Sequence, residues 1–335
     1  MNELQTEITS LFGIDLPIVQ APIGSASCPS LAAAVTNAGG LGTLALSWRS
    51  PADARTALDE AMAQSTGPVG ANIVLDETAS TTDPETLVDC CLDAGVPIVS
   101  FSFGDCSQFV DRLDATDTTV LQSVGSLEAA RSAVEAGVDC VVGQGTEAGG
   151  HVEGELTTLC LIPQLVDAVG DVPVIAAGGI SDGRAIAAAL TLGAGGAWLG
   201  TRFLATTEAK IHETYRSRLT THESADTVLG RPFDGGWPGM DHRVLETEIV
   251  SEWIDAGRPT QDKPGAGVRV GTTPDGEPID RYDDMLAVPD TMGEIEELPL
   301  YAGQGVGQID HSRPAASVVD DLATETRIAL TNAPG

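Results

Sequence analysis

The chain has 335 residues, 42 % of them hydrophobic, enough to bury the core of one large domain carrying an insertion. Its formal net charge of −32 excludes nucleic acid and anionic membrane surfaces as partners, and no apolar run approaches the roughly 20 residues of a membrane span. The acidic start, MNELQTEITSLFG, lacks the basic and apolar regions of a signal peptide, so a soluble cytoplasmic protein is expected.

Strands and helices alternate along the chain. Residues 17–20 read as a strand that leaves through Ala21, Pro22 and Ile23, and Pro29 opens a helix that ends at Gly39 and Gly40. Strands follow at 41–46, 69–74, 97–101, 119–122 and 140–143, with helices at 51–64, 84–94, 107–113 and from Ser126 to Gly137 between them. A long loop then runs through His151 to a helix over 159–168. The stretch VPVIAAGGISDGRAIAAALTLGAGGAWLGTRFLA reads as strand, glycine turn, helix, strand and glycine turn, with Asp182 capping the helix. Eight such strands predict a parallel sheet closed into a (β/α)8 TIM barrel. A doubly wound open sheet is the competitor, but it would usually carry GxGxxG after its first strand, and none follows Gln20.

The eighth helix is delayed. Residues 210–293 are polar and rich in Gly, Pro and Asp, with helical stretches expected at 210–219 and 244–255 and an irregular part over 257–289 that includes a hairpin. They read as an inserted lid or substrate subdomain, the alternative being a peripheral excursion. The barrel is assigned to 1–209 and 294–335, closed by a helix on which Val319, Leu322, Thr326 and Leu330 recur.

Barrel chemistry sits at the C-terminal ends of the strands. That rule selects Ala21, Pro22, Ile23, Asn72, Gln122, the segment from Gln144 through Gly149 and Gly150 to His151, Ala177, Gly178 and Gly179, and Gly200 with Thr201. The two glycine turns expose backbone N–H groups suited to a phosphate. His151 follows two glycines and is the candidate acid–base group.

Four motifs in register, PIVQAPIG, GQGTEAGGH, AAGGISDGRAIAAALTLGAGGAWLGTRFLAT and LYAGQGVGQI, strongly resemble the nitronate monooxygenases, formerly called 2-nitropropane dioxygenases. The resemblance implies bound FMN and oxidation of an alkyl nitronate by O₂ to a carbonyl compound and nitrite. It implies that Ala21 to Ile23 pass along the flavin, that Asn72 bonds the ring edge, and that Gly178, Gly179, Gly200 and Thr201 hold the phosphate. Gly149 and Gly150 then allow close approach, and His151 is catalytic. Gln122 stands where some relatives carry lysine, which removes a positive charge from the flavin edge. Glu147 is read as a partner of His151 or of the cofactor, or as a solvated acid, and residues 303–305 as a return to the site. An FMN-dependent NAD(P)H oxidoreductase, of enoyl reductase or quinone reductase type, and a non-catalytic flavin-binding protein are the alternative readings. The partners implied are a small nitronate or nitroalkane and O₂. No metal is implied, and a homo-oligomer is left open.

Cys28, Cys90, Cys91, Cys106, Cys140 and Cys160 show no metal or disulfide spacing and read as free thiols in the core. Lys210 and Lys263 are the only lysines, and the acid excess is spread along the chain. A surface adapted to high salt is expected, with an ordinary acidic enzyme as the alternative. Screening shortens from about 10 Å at 0.1 M to about 3 Å at 1 M salt. The melting temperature should therefore rise between 0.1 and 2 M KCl, and a flat response would remove the high-salt reading.

Overall fold

The computed structural model of the protein describes residues 4–332. Its central sheet has eight parallel strands: β1 (Ile18–Gln20), β2 (Gly42–Ala45), β3 (Val69–Val74), β4 (Ile98–Ser102), β5 (Thr119–Val124), β6 (Cys140–Gln144), and, after the two-residue strand β7 (Gly150–His151), β8 (Val174–Ala177) and β9 (Gly196–Leu199). The order β1-β9-β8-β6-β5-β4-β3-β2 closes on itself through a parallel bridge between Val19 and Leu41. This is a (β/α)8 barrel.

Helix α1 (Glu7–Phe12) precedes the barrel, and α2 (Pro29–Asn37), α3 (Pro51–Gln64), α4 (Pro84–Ala94), α5 (Ser107–Asp114), α6 (Leu127–Ala136), α7 (Thr158–Ala168) and α8 (Gly183–Thr191) alternate with its strands. Their starts follow the capping signals. Ser50, Asp83, Ser126 and Asp182 each accept a backbone N–H three residues on, and Gly95 and Gly137 end their helices in the left-handed conformation.

Strand parity divides the core. Ile18, Leu44, Ala71, Ile73, Val99, Phe101, Val120, Val124, Val141, Val174 and Ala197 pack outward under the helices. Val19, Leu41, Ile98, Leu121, Cys140, Val142, Ile175 and Ala177 point inward and meet Ile8, Phe12 and Ile14. Helix α1, absent from the sequence reading, thus plugs the floor of the barrel. Gly195 admits it, since a Cβ there would lie 2.8 Å from Ile8.

After the short α9 (Thr201–Leu204), the chain leaves the barrel through α10 (Glu213–Leu219), β10 (Thr227–Gly230), β11 (His242–Leu245), α11 (Glu248–Asp255), β12 (Arg269–Thr272), β13 (Pro278–Asp280) and β14 (Met292–Gly293). The expected helix over 244–255 is corrected here. Val244 and Leu245 lie in β11, and the helix begins only at Glu248, because β11 is recruited as the centre of a three-stranded sheet in the order β10-β11-β7. The expected hairpin is β12 with β13.

Helix α12 (Ala315–Thr331) returns to fill the gap between α8 and α2. Three thiols, Cys91, Cys106 and Cys140, are buried, Cys28 and Cys90 are half-buried, and Cys160 is exposed, which corrects its assignment to the core. No described helix is long and apolar enough to cross a membrane.

The seam between α8 and α12 is tight at Gly183, where a Cβ would fall 2.3 Å from Glu325 Cβ and 2.4 Å from the Thr326 nitrogen. Overpacking of this kind typically costs about 1–3 kcal/mol. Gly183→Ala should lower the melting temperature measurably while leaving helical content intact, as read by circular dichroism on heating.

Candidate functional site

The glycine turns stand together at the C-terminal mouth of the barrel. Gly178 and Gly179 follow β8 with φ of 107° and 69°, values that favour glycine, and Gly200 follows β9. Their N–H groups make no hydrogen bond among the described residues. Thr201 Oγ1 accepts the N–H of Gly303 at 2.9 Å, and a Cβ on Gly305 would fall 2.0 Å from Ser181 Oγ. Residues 303–305 therefore return to the site as a third wall of this cradle.

The loop from Gln144 to His151 is fixed from three sides. Gly145 donates to Ala177 O at 2.9 Å, tying the loop to β8. Gly149 lies so close to the backbone of Ala302 and Gly303 that a Cβ would sit 2.3 Å from the Gly303 nitrogen. Arg243, buried, donates from Nη2 to Thr146 O at 2.7 Å. Beyond it, β7 pairs antiparallel with β11, setting His151 opposite His242 and Gly150 opposite Arg243. Gln144 joins the strand to the loop end, donating to His151 O at 3.1 Å and accepting the Glu153 N–H at 3.1 Å.

His151 enters a mostly aromatic enclosure. Its ring centroid lies 4.3 Å from that of Trp237, 5.6 Å from Tyr301, 5.3 Å from His242 and 6.4 Å from Phe103. Nε2 is 3.2 Å from Asp284 Oδ2, a charge contact more than an aligned hydrogen bond, and the His151 side chain is 11 % exposed. Burial opposes ionisation of Asp284, yet the contact with His151, the Tyr301 hydroxyl and His242 together hold its carboxyl below the usual value. Lys263 is buried nearby in the inserted segment. It pairs with Asp234, donates to Pro232 O at 2.7 Å and lies 5.2 Å over the Tyr282 ring.

His242 is buried and neutral. Nε2 accepts the Phe233 N–H at 3.1 Å and Nδ1 lies 3.2 Å from Met240 O, which fixes the proton on Nδ1. Burial, then the neighbouring His151, lowers its pKa to about 4. His212 instead caps α10 by accepting the Thr214 N–H.

The other expected site residues divide. Asn72 faces the barrel mouth, but its amide already donates to Ser100 Oγ at 3.0 Å and lies 3.2 Å from Ser100 O. At the β1 exit, Ala21 N–H donates to Leu199 O and Ile23 N–H to Ser27 Oγ, so with Pro22 this segment offers surface and carbonyl oxygens but no free donor. Gln122 is a correction. It shares the parity of Val120 and Val124, turns toward the helix layer, and lines a cavity of about 360 Å³ with Ala129, Ser132 and Ala133. Its amide donates to Ser123 O at 3.0 Å, and Oε1 is buried without a partner. The alternation sets Ser123 toward the mouth in its place. Of the readings of Glu147, the partnership with His151 is not found. Its carboxylate accepts the Thr158 N–H at 2.8 Å at the start of α7, and Asp284 is the acid beside His151.

Sequence reasoning missed Asp284, Trp237, Tyr301 and Glu153. Asp284 and Trp237 lie in the polar 210–293 segment, where neither periodicity nor a motif marks them. The cavity just described is also lined by Glu153, whose pKa burial pushes up to about 7 against the opposing hydrogen bond from Phe103 N–H.

Residues 5–325 match the family model of the nitronate monooxygenases. A (3aS,4S,5R,7aS)-5-hydroxy-7a-methyl-1-oxo-octahydro-1H-indene-4-carboxyl-CoA dehydrogenase of Rhodococcus jostii is 35 % identical over 257 residues, 77 % of this chain and 70 % of that protein. The structure of FabK from Thermotoga maritima superposes with a TM-score of 0.80 at 31 % identity, over 98 % of this chain and 97 % of the other. Nitroalkane oxidase from Streptomyces ansochromogenes does so with a TM-score of 0.77 at 29 % identity, over 97 % and 99 %. The chain belongs to the nitronate monooxygenase family and is an enzyme, a flavin-dependent oxidoreductase.

The folded Glu153 carboxyl keeps its proton up to about pH 7, whereas the ordinary value is 4.5. Stability therefore falls as pH rises across that window, by roughly 3 kcal/mol above it at 1.36 kcal/mol per unit. Denaturant melts of wild type and Glu153→Gln at pH 5 and pH 8 check this. The variant should gain stability relative to wild type at pH 8 and much less at pH 5.

Proposed function

We propose that this member of the nitronate monooxygenase family is an FMN-dependent nitronate monooxygenase, converting an alkyl nitronate and O₂ into a carbonyl compound and nitrite. The observation that carries the reading is His151. Its imidazole is enclosed by Trp237 and Tyr301, faces the Asp284 carboxylate at 3.2 Å, and follows glycines packed against the Gly303 backbone beside Thr201.

The residues at the mouth fit the cofactor in part. Unpartnered N–H groups at Gly178, Gly179 and Gly200, with Thr201, suit one phosphate group, which favours FMN over a dinucleotide. Ala177, Gln144, Gly149, Gly150, Ala21, Pro22, Ile23 and Asn72 would line the remainder, and Gln122, turned to the helix layer, would not. Bound FMN would supply the redox chemistry.

The chain's own residues would position the substrate and move its proton. Asp284, held ionised, favours the proton of His151 on Nε2 and leaves the Nδ1 lone pair as the acceptor for an α-proton of a neutral nitroalkane. The imidazolium that results is stabilised by Asp284 and can pair with nitronate oxygens. Trp237, Phe103 and Tyr301 restrict water around it. In this reading residues 210–293 complete the substrate side, supplying Trp237, His242 and Asp284. We further read a soluble cytoplasmic enzyme whose acidic surface suits high salt.

A second reading, an NAD(P)H-dependent flavin reductase or dehydrogenase, is favoured by the indene-carboxyl-CoA dehydrogenase among its relatives. Rapid anaerobic bleaching of the yellow protein by NADH or NADPH, without bleaching by a nitronate such as propionate 3-nitronate, would select it.

Released cofactor should be FMN by mass after denaturation. His151→Ala should keep it and lose about 10²–10⁴ in turnover of neutral nitroalkanes, the usual contribution of an acid–base group. Preformed nitronates should lose less. Nitrite release from both substrate forms, at matched FMN content, is the assay. Undiminished turnover of both would remove His151 from the role.

A further inference from the structure

We propose that Glu153 is a positioning residue: its buried carboxyl group holds Phe103 in a left-handed turn, and thereby sets the aromatic wall against which His151 rests. The proposal builds on the reading of His151 as the acid–base group.

Phe103 lies on the loop after β4 with φ of 58°, a conformation that non-glycine residues rarely adopt. Its N–H donates to Glu153 Oε1, the one hydrogen bond that N–H makes among the described residues. Its ring stands edge-on to Trp237, with centroids 4.6 Å apart and planes at 72°. Trp237 in turn covers His151 at 4.3 Å and donates its indole N–H to Asp76 Oδ2 at 2.9 Å.

Glu153 is placed for this by the segment that carries His151. It follows that residue by two, and Gln144 holds both, accepting the Glu153 N–H and donating to His151 O. A shift of Glu153 is therefore tied to His151 through the backbone as well as through the wall. Without an acceptor at 153, the Phe103 N–H is left unpaired and the turn relaxes to negative φ. That change swings the ring away from Trp237. An unprotonated carboxyl oxygen only accepts, and one is present whether or not Glu153 carries its proton, so it holds the N–H in one orientation in either state. Glutamine keeps an acceptor oxygen of the same reach and should preserve the wall.

The test uses the full-length enzyme, with the histidines isotopically labelled and the ring signal of His151 identified by its loss in His151→Ala. Glu153→Ala and Phe103→Ala should each move that signal and lower kcat for a neutral nitroalkane by about tenfold to a hundredfold, the scale of a small misplacement, with KM little changed. The double variant should be no worse than the poorer single, since both remove one contact. Glu153→Gln should restore the signal and most of the turnover. A His151 signal unmoved in Glu153→Ala overturns the proposal, as does Glu153→Gln behaving like Glu153→Ala. Should Glu153→Ala fail to fold, Phe103→Ala decides in the same way, an unmoved signal overturning it. The ring signal needs no substrate. A shifted signal in a protein that turns over no nitronate would support the wall and defeat the earlier reading of the reaction.

Discussion

The antiparallel pairing of Gly150 and His151 with Arg243 and His242 is the contact on which the site depends. A barrel strand end delivers a loop, and a loop alone does not fix an imidazole. Here the loop is given two residues of strand by a segment inserted after β9. The same inserted strand bridges Val244 to Tyr301, so one short strand sets both His151 and the phenol beside it. Because pairing register fixes which face each side chain takes, a one-residue slip in β11 would exchange His242 for a neighbour and turn the pair apart.

That pairing explains why two ionisable groups are buried here with opposite outcomes. His242 is kept neutral by hydrogen bonds to both ring nitrogens and by burial, which lowers its pKa to about 4. Asp284 is kept ionised because His151, Tyr301 and His242 outweigh its burial. The enclosure therefore holds one negative charge, directed at His151, beside an imidazole that adds none. Glu153, on the other side of the wall, is the reverse case, a carboxyl that burial pushes toward neutrality. Of these three neighbouring groups burial favours the neutral form of two, and only Asp284 is held charged, through its partners.

The barrel and the inserted segment contribute unequally to the candidate site. The barrel contributes the backbone: glycine turns after β8 and β9, and a loop that admits close approach at Gly149. The inserted segment contributes side chains, Trp237, His242 and Asp284, each anchored to its own surroundings by a hydrogen bond or ion pair. Such a division lets the inserted part vary while the backbone cradle stays.

Local chemistry made much of this legible in the sequence. Apolar runs ended by glycine gave the strands, Ser50, Asp83, Ser126 and Asp182 announced helix starts, and Gly178, Gly179 and Gly200 marked the turns, because capping and left-handed geometry act within a few residues. His151 stood out as a candidate through the GQGTEAGGH motif and its resemblance to the family, not through local geometry, which says nothing of a side chain's role. Parity was not legible: Gln122 and Ser123 differ by one position, and only the pairing of β5 with its neighbours shows which of them faces the mouth. Nor was helix α1, whose Ile8 and Phe12 have meaning only as the floor of a closed barrel. Asp284 reaches His151 from far along the chain, out of a polar stretch with no period to read, and tertiary structure alone decided that contact, since solvation and charge pairing depend on who arrives and not on spacing.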